Sequence, residues 1–168
     1  LSDHNTLDIN RLRLLTGAAA TKDDYISLAQ FALQFGMAAE AQGVMEKGAK
    51  VLTDDRSQRL MARAKQDAAA QAASEAKDLA TAKAAPQGDD QVKIGERMIG
   101  EGKAKDAIAV IQDALKKPLK DANNGQIRLG QAYLAAGQKK DAQTAFSKVK
   151  APEKDAMVAH LWFLAASH

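Results

Sequence analysis

Cysteine is absent from this 168-residue chain. That excludes a disulfide scaffold, a thiolate-ligated zinc site and a thiol nucleophile, and leaves the redox compartment open. Aromatic residues are scarce at 4%, and much of the 46% hydrophobic share is alanine. With so few large side chains, helices must approach closely to bury enough surface, so the expected class is all-α. No apolar run approaches the roughly 20 residues that a membrane span requires. Neither sign of charge dominates: 24 basic residues stand against 21 acidic ones, a net of +3. A nucleic-acid binder would concentrate its basic residues in a stripe. The opening residues Leu1 to Asn5 form neither a signal peptide nor an initiator methionine, so the chain is expected to be an internal or processed piece of a longer protein, with any export signal upstream.

Catalytic signatures are missing as well. No Gly-x-Ser-x-Gly or His-Glu-x-x-His occurs. His4, His160 and His168 lie near the termini with no carboxylate at a ligand-like interval, so no metal site is expected. The stretch from Gly95 to Lys103 is glycine-rich, but its spacing is wrong for a phosphate loop and no Ser or Thr follows Lys103. Gly100 and Gly102 read as a turn between helices, and Gly95 as a packing glycine. The carboxylate pairs Asp23-Asp24, Asp54-Asp55 and Asp89-Asp90 fall at helix starts, where they complement the dipole. The expectation is a protein with no catalytic residues, no metal and no cofactor.

What is present is helical periodicity with regular punctuation. Residues 7–16 fit a short amphipathic helix ending before Gly17. Thr21 to Asp24 supplies a cap and an acidic first turn for a helix burying Tyr25, Leu28, Ala29, Ala32 and Leu33 and stopping at Gly36. Its partner runs from about Ala38 to Leu52, with Ala41, Val44 and Met45 inward. A second pair spans about Asp89 to Lys117, turning at Gly100–Lys103 and closed by Pro118. A third buries Ile127, Leu129, Gly130, Ala132, Tyr133 and Leu134, turns at Gly137-Gln138, and continues through Ala142, Ala145, Phe146 and Val149 to Pro152. The segment 153–168 reads as one more helix, covering the third pair with Val158, Leu161, Trp162 and Leu164, or as the start of a truncated fourth repeat. From Asp54 to Ala85 neither Gly nor Pro occurs, which favours a nearly unbroken alanine-rich helix; a degenerate helix pair or a spacer also fits that span.

These pairs superpose. Leu28-Ala29 with Ala41 and Met45 corresponds to Ile94-Gly95 with Ala107 and Ile111, and to Leu129-Gly130 with Ala142 and Phe146; the last two sets are offset by 35 positions throughout. A constant period of that size signals a solenoid of helix pairs. The organisation expected is an N-terminal helix plus first pair over 1–53, an alanine-rich helix and linker over 54–88, two pairs over 89–152, and a capping helix over 153–168.

On these residues the chain resembles the tetratricopeptide repeat family, most closely in the third pair through Leu129-Gly130, Tyr133, Ala142, Phe146 and Pro152. The resemblance implies an antiparallel helix-pair superhelix whose first helices line a concave groove for a peptide or helix of a partner protein. Carried onto this sequence, the groove would present Asp23, Ile26, Gln30, Leu33 and Gln34, then Asp89, Val92, Glu96 and Ile99, then Asn124, Ile127, Gln131 and Leu134. Family members that grip the acidic tails of heat-shock chaperones do so with groove lysines, which are missing at the matching places, so that role is disfavoured. The segment Tyr25 to Gly36, with the Lys/Gln/Ala helix beyond it, also resembles arrays in envelope-associated bacterial proteins, which implies a periplasmic or envelope location over a cytoplasmic one.

The expected function is therefore a protein-interaction or scaffold module. A structural domain for homo-oligomerisation is the alternative; a binder of nucleic acid or an anionic surface is a third, since Lys103, Lys105, Lys116, Lys117, Lys120, Arg128, Lys139, Lys140, Lys148, Lys150 and Lys154 make the C-terminal half the more basic. Most of these flank turns and outer helices and are expected at the solvated surface, with few aromatics beside them to stack on bases. Trp162 and Phe163 are adjacent and cannot share a helix face: either Trp162 packs and Phe163 sits on the rim, or the two mark a self-association patch.

Overall fold

The computed structural model describes residues 2–18 and 21–167 and is all-α, with no strand among the described residues. It divides into two compact units, Leu1–Ser74 and Glu75–His168. No helix among the described residues is long and apolar enough to cross a membrane.

The first unit holds α1 (Asp3–Leu15), α2 (Lys22–Gln34), α3 (Ala38–Lys47) and the first part of α4 (Asp55–Ala84). Helix α1 starts four residues before the expected stretch because Ser2 caps it, its hydroxyl accepting from the Asn5 amide. Thr21 and Asp24 form a reciprocal capping box at the start of α2. Helix α3 ends at Lys47, short of the expected Leu52: the chain turns at Gly48, where a Cβ would meet the Tyr25 ring at 2.7 Å, and only glycine permits that approach. Leu52 still reaches the core, which gathers Leu7, Leu28, Ala29, Ala32, Met37, Ala41, Val44, Met45 and Ala64. The one long helix expected over the alanine-rich span is observed as α4. In this unit Leu60, Met61 and Ala64 of α4 face the core, and Gln71 donates to the Gly36 carbonyl and accepts from the Ala38 amide.

The second unit holds the remainder of α4 with α5 (Asp89–Gly100), α6 (Ala104–Ala114), α7 (Ala122–Ala135), α8 (Lys139–Phe146) and α9 (Glu153–Ala165). Leu79 and Ala82 of α4 join a core of Ile94, Met98, Ala107, Val110, Ile111, Leu129, Ala132 and Ala145. The C-terminus of α4 is capped by Lys117, whose ammonium donates to the carbonyls of Lys83 and Ala85 at 2.7 and 3.1 Å, where the helix dipole favours a cation. Helix α9 buries Val158, Ala159 and Trp162, so it is rotated from the expected face: Leu161 and Leu164 point outward with Met157.

Within each unit, the hairpins close by one device. Gly36, Gly102 and Gly137 all have φ of 76 to 77°, the left-handed region in which a Cβ is strained. The amide after each bonds back five residues: Met37 to Ala32, Lys103 to Met98 and Gln138 to Tyr133, at 2.7, 2.8 and 2.8 Å. This is the Schellman arrangement, which satisfies helix-terminal carbonyls and reverses the chain within three residues. Inside the α5–α6 pair, Ile111 lies against Gly95; inside α7–α8, the Phe146 ring lies against Gly130. Small thus faces large at positions 35 residues apart.

Candidate functional site

In the first unit the expected groove positions are accessible. Asp23, Gln30 and Gln34 are exposed along α2, and Ile26 and Leu33 are half-buried against the core.

In the second unit most of the corresponding positions are closed. Asp89 acts as a tie between segments, its carboxylate accepting from the amides of Lys120 and Asp121 at 3.0 and 3.4 Å. Val92 and Ile127 are buried, Ile99 and Leu134 half-buried. Glu96, Asn124 and Gln131 converge on Arg128, which is 0% exposed. Its Nε lies 3.1 Å from Glu96 Oε1 and donates to Asn124 Oδ1 at 2.9 Å; its Nη1 donates to Gln131 Oε1 at 2.8 Å. A guanidinium removed from water needs such a set of acceptors. In the sequence Arg128 stands as one of many basic residues expected at the surface. The signal was nonetheless present: Asn124, Arg128 and Gln131 recur at i, i+4 and i+7, and Glu96 is the counterpart of Gln131 one 35-residue step earlier.

A second polar cluster sits where α4 meets the α5–α6 turn. The Lys103 ammonium lies 2.8 Å from Glu75 and 2.7 Å from Glu101, and Arg97 pairs with Asp78 at 3.3 Å. Burial pushes the Glu101 carboxyl up, and the neighbouring Glu75 adds to that effect. Burial acts on Glu75 in the same sense, but the hydrogen bonds from Glu101 and Lys103 outweigh it and hold Glu75 below the usual carboxylate range. Both carboxyls face the Lys103 ammonium, whose own proton is held more tightly by both. The cluster fastens α4 to the α5–α6 hairpin.

Away from the expected groove, a recess of about 510 Å³ opens between α6, α7 and α8. Gln126, Leu129 and Tyr133 line it from α7 at i, i+3 and i+7; Asp141, Thr144, Ala145 and Lys148 line it from the α8 side; Gln112, Leu115 and Lys116 close it from the α6 side. Gln112 donates to the Tyr133 hydroxyl at 2.7 Å. Gln126 Oε1 is buried with no hydrogen-bond partner. Lys116 is 3.7 Å from Asp113, whose carboxylate is held below the usual range first by a hydrogen bond from Gln91 and then by nearby lysines. This recess was not anticipated, because its walls come from three helices whose stripes are unrelated in sequence.

The His4 ring packs on Phe35 with centroids 4.1 Å apart, His160 stacks on Phe163 at 6.2 Å, and His168 lies outside the described residues. Among the described residues, no group of three or more His, Cys, Asp or Glu is placed to hold a metal ion. Gly95 packs on Ile111 and Gly102 forms the turn, so the glycine-rich stretch is helix-turn-helix structure.

The class defined by these observations is an all-α protein built from helix hairpins. Comparison with known proteins gives no match to a family model, to a curated protein or to a solved structure.

Proposed function

We propose that the chain is a non-enzymatic protein-interaction module, a short array of tetratricopeptide-like helix pairs that holds a peptide or helix of a partner protein. The observation that carries this reading is the recurrence of one hairpin: the same left-handed glycine and five-residue-back hydrogen bond close α2–α3, α5–α6 and α7–α8. Glycine-on-large-residue packing recurs inside the last two. The last two hairpins stand 35 residues apart, and a repeated hairpin presents similar helices side by side, which suits recognition of an extended segment.

Selection from a displayed random-peptide library on the immobilised full chain tests this reading. Recovered peptides that share a motif and bind reversibly by titration calorimetry support it; a library that yields no binder above background refutes it.

A second reading, self-association, has an observation of its own. Met157, Leu161 and Leu164 are 45, 38 and 46% exposed and lie at i, i+4 and i+7, an apolar stripe on α9. Trp162 is buried and Phe163 half-buried, so Leu161 is the more direct probe. Sedimentation of the wild type and of Leu161→Lys tests it: a dimer lost in the variant supports self-association, and a wild-type monomer at high concentration removes it.

A further inference from the structure

Helix α9 stands one 35-residue step beyond α7 and two beyond α5, so Val92, Ile127 and Trp162 correspond, as do Ile94, Leu129 and Leu164. The first set is buried alike, at 2, 3 and 5% exposure, so α9 presents the same face to its unit as its counterparts do. The second set is not: Ile94 and Leu129 are each 6% exposed, and Leu164 is 46% exposed. The difference lies in what flanks each helix. Helix α7 packs between α6 and α8, and α5 between α6 and the end of α4, whose Asp78 pairs with Arg97. Helix α9 meets α7 and α8, and among the described residues no helix follows on its other side.

The covered positions show what such a helix does. On α5, Gln91 donates to the Val110 carbonyl at 3.1 Å and to Asp113 at 2.8 Å, and Gly95 lies against Ile111, all from α6. On α7, Gly130 lies against Phe146 of α8. One step further on, Leu161 takes the place of Gln91 and Ala165 the place of Gly95. Leu161 has no group to bond a carboxylate, so an apolar residue suits it where α6 has Asp113. A second copy of the chain has no spare helix of this kind, because α3, α6 and α8 are each taken up in a hairpin. Nor do Met157, Leu161 and Leu164, all only part-exposed, approach the roughly 800 Å² per partner that a stable dimer buries.

We propose that the exposed stripe of α9 is a docking site for an amphipathic helix of a partner protein, seated antiparallel on α9 as α6 is on α5 and α8 on α7. The helix carries a small residue and, four positions on, a large apolar one, as Ala107 precedes Ile111 and Ala142 precedes Phe146. The large residue lies over Ala165, and an aliphatic residue two positions later meets Leu161. The docked helix continues the alternation of first and second helices that the unit already shows, and it removes Leu161 and Leu164 from water.

The proposal rests on the reading of the chain as a protein-interaction module, and its test separates the two. The probe is a synthetic peptide of residues 103–117 carrying Asp113→Leu, cross-linked between positions 105 and 109, which are exposed in α6, and labelled for fluorescence polarisation. It is titrated with the full chain as wild type, Leu161→Lys, Leu164→Lys and Ala62→Lys. Saturable binding to the wild type is expected, weakened at least tenfold in Leu161→Lys and Leu164→Lys. It is unchanged in Ala62→Lys, which places the same charge on an exposed position of the first unit. The same peptide with Ile111→Lys should not bind. Leu161, Leu164 and Ala62 are all exposed, so their replacement leaves the fold intact, which circular dichroism checks. No saturable binding, or binding that survives Leu164→Lys, overturns the site on α9. That result leaves the interaction module standing if the displayed library yields binders, and failure of both probes overturns both. A wild-type dimer lost in Leu161→Lys assigns the stripe to a second copy and overturns the partner helix. A longer form of the chain that no longer takes up the peptide assigns the stripe to its own following helix and overturns the partner as well.

Discussion

The ring of Phe146 lies on Gly130 so closely that a Cβ at that glycine would fall 2.6 Å from both the Cδ1 and Cζ ring carbons. The ring has little room to retreat, because its other neighbour is Trp162, with centroids 6.1 Å apart, and Trp162 is itself buried. Gly130→Ala is therefore expected to destabilise by about 1–3 kcal/mol through overpacking, although alanine is the better helix former. Gly43, also inside a helix, has nothing within 4 Å of the same imagined atom. Gly43→Ala should stabilise by about 0.5–1 kcal/mol. Denaturant titrations of the two variants should move in opposite directions; equal shifts would remove the close-packing account.

Arg128 and Glu96 make a buried pair, and the two ends are not equivalent. Arg128→Met removes the guanidinium 3.1 Å from the Glu96 carboxylate and the donor to Asn124 and Gln131. It should cost about 3–5 kcal/mol, the usual penalty for breaking a buried pair at one end. Glu96→Gln keeps an acceptor facing the guanidinium and should cost less than half as much. Urea midpoints give the comparison, and a Glu96→Gln loss equal to that of Arg128→Met would contradict this geometry.

Lys103 lies against both the Glu75 and the Glu101 carboxyl. In Lys103→Met both lose that ammonium, so both carboxyls should move up, Glu101 further above the ordinary value of 4.5. A raised carboxyl binds protons more tightly in the folded state, so the variant loses stability as pH rises through the raised values. The deficit relative to wild type should be largest near pH 7 and shrink toward pH 4.5. Thermal unfolding at pH 4.5, 5.5 and 7 measures it; a pH-independent deficit would show that the carboxyls are not coupled.

Asp54 works in the opposite sense. Its carboxylate sits 2.6 Å from the Lys22 ammonium and accepts from the Ser57 hydroxyl and amide, which hold it well below the ordinary 3.8. Its contribution is therefore complete above pH 3.8 and fades as pH falls through the depressed value. Asp54→Asn keeps a helix-capping side chain but removes the charge. The variant should be weaker than wild type at pH 6, and the gap should narrow steadily as pH falls below 3.8. Added salt should narrow the gap at pH 6, since the Lys22 pair is partly exposed. A gap that does not narrow below pH 3.8 would trace the loss to something other than charge.

Much of the fold was legible because it depends on short-range rules. Thr21 with Asp24 announces a helix start, Gly36, Gly102 and Gly137 announce reversals, and the absence of Gly and Pro after Asp54 announces a long helix; each acts on its own few residues. Boundaries were missed where a distant partner intervened, as where the Tyr25 ring meets the turn at Gly48 and ends α3 early. The orientation of α9 was missed because Val158, Leu161, Trp162 and Leu164 do not all lie on one face, and the sequence contains no statement of which face meets α8.

The candidate site was less legible for the same reason. The amide and acidic residues of α5 and α7 were visible as a lining, yet whether a lining stays open is set by the distance between two helices. Here that distance places Arg128 between Glu96 and Gln131, and the polar groups satisfy one another. The recess beside Gln126 and Lys148 had no signature at all, since an unpartnered acceptor exists only once three helices surround it.

By itself the sequence determined the helices, the hairpin reversals and the alternation of small against large at 35-residue steps, because backbone conformation and side-chain volume act locally. Tertiary structure alone decided which polar residues were withdrawn from water and which surface was left hollow. Burial and hydrogen-bond satisfaction belong to sets of residues far apart in the chain, and they take a value only when those residues meet.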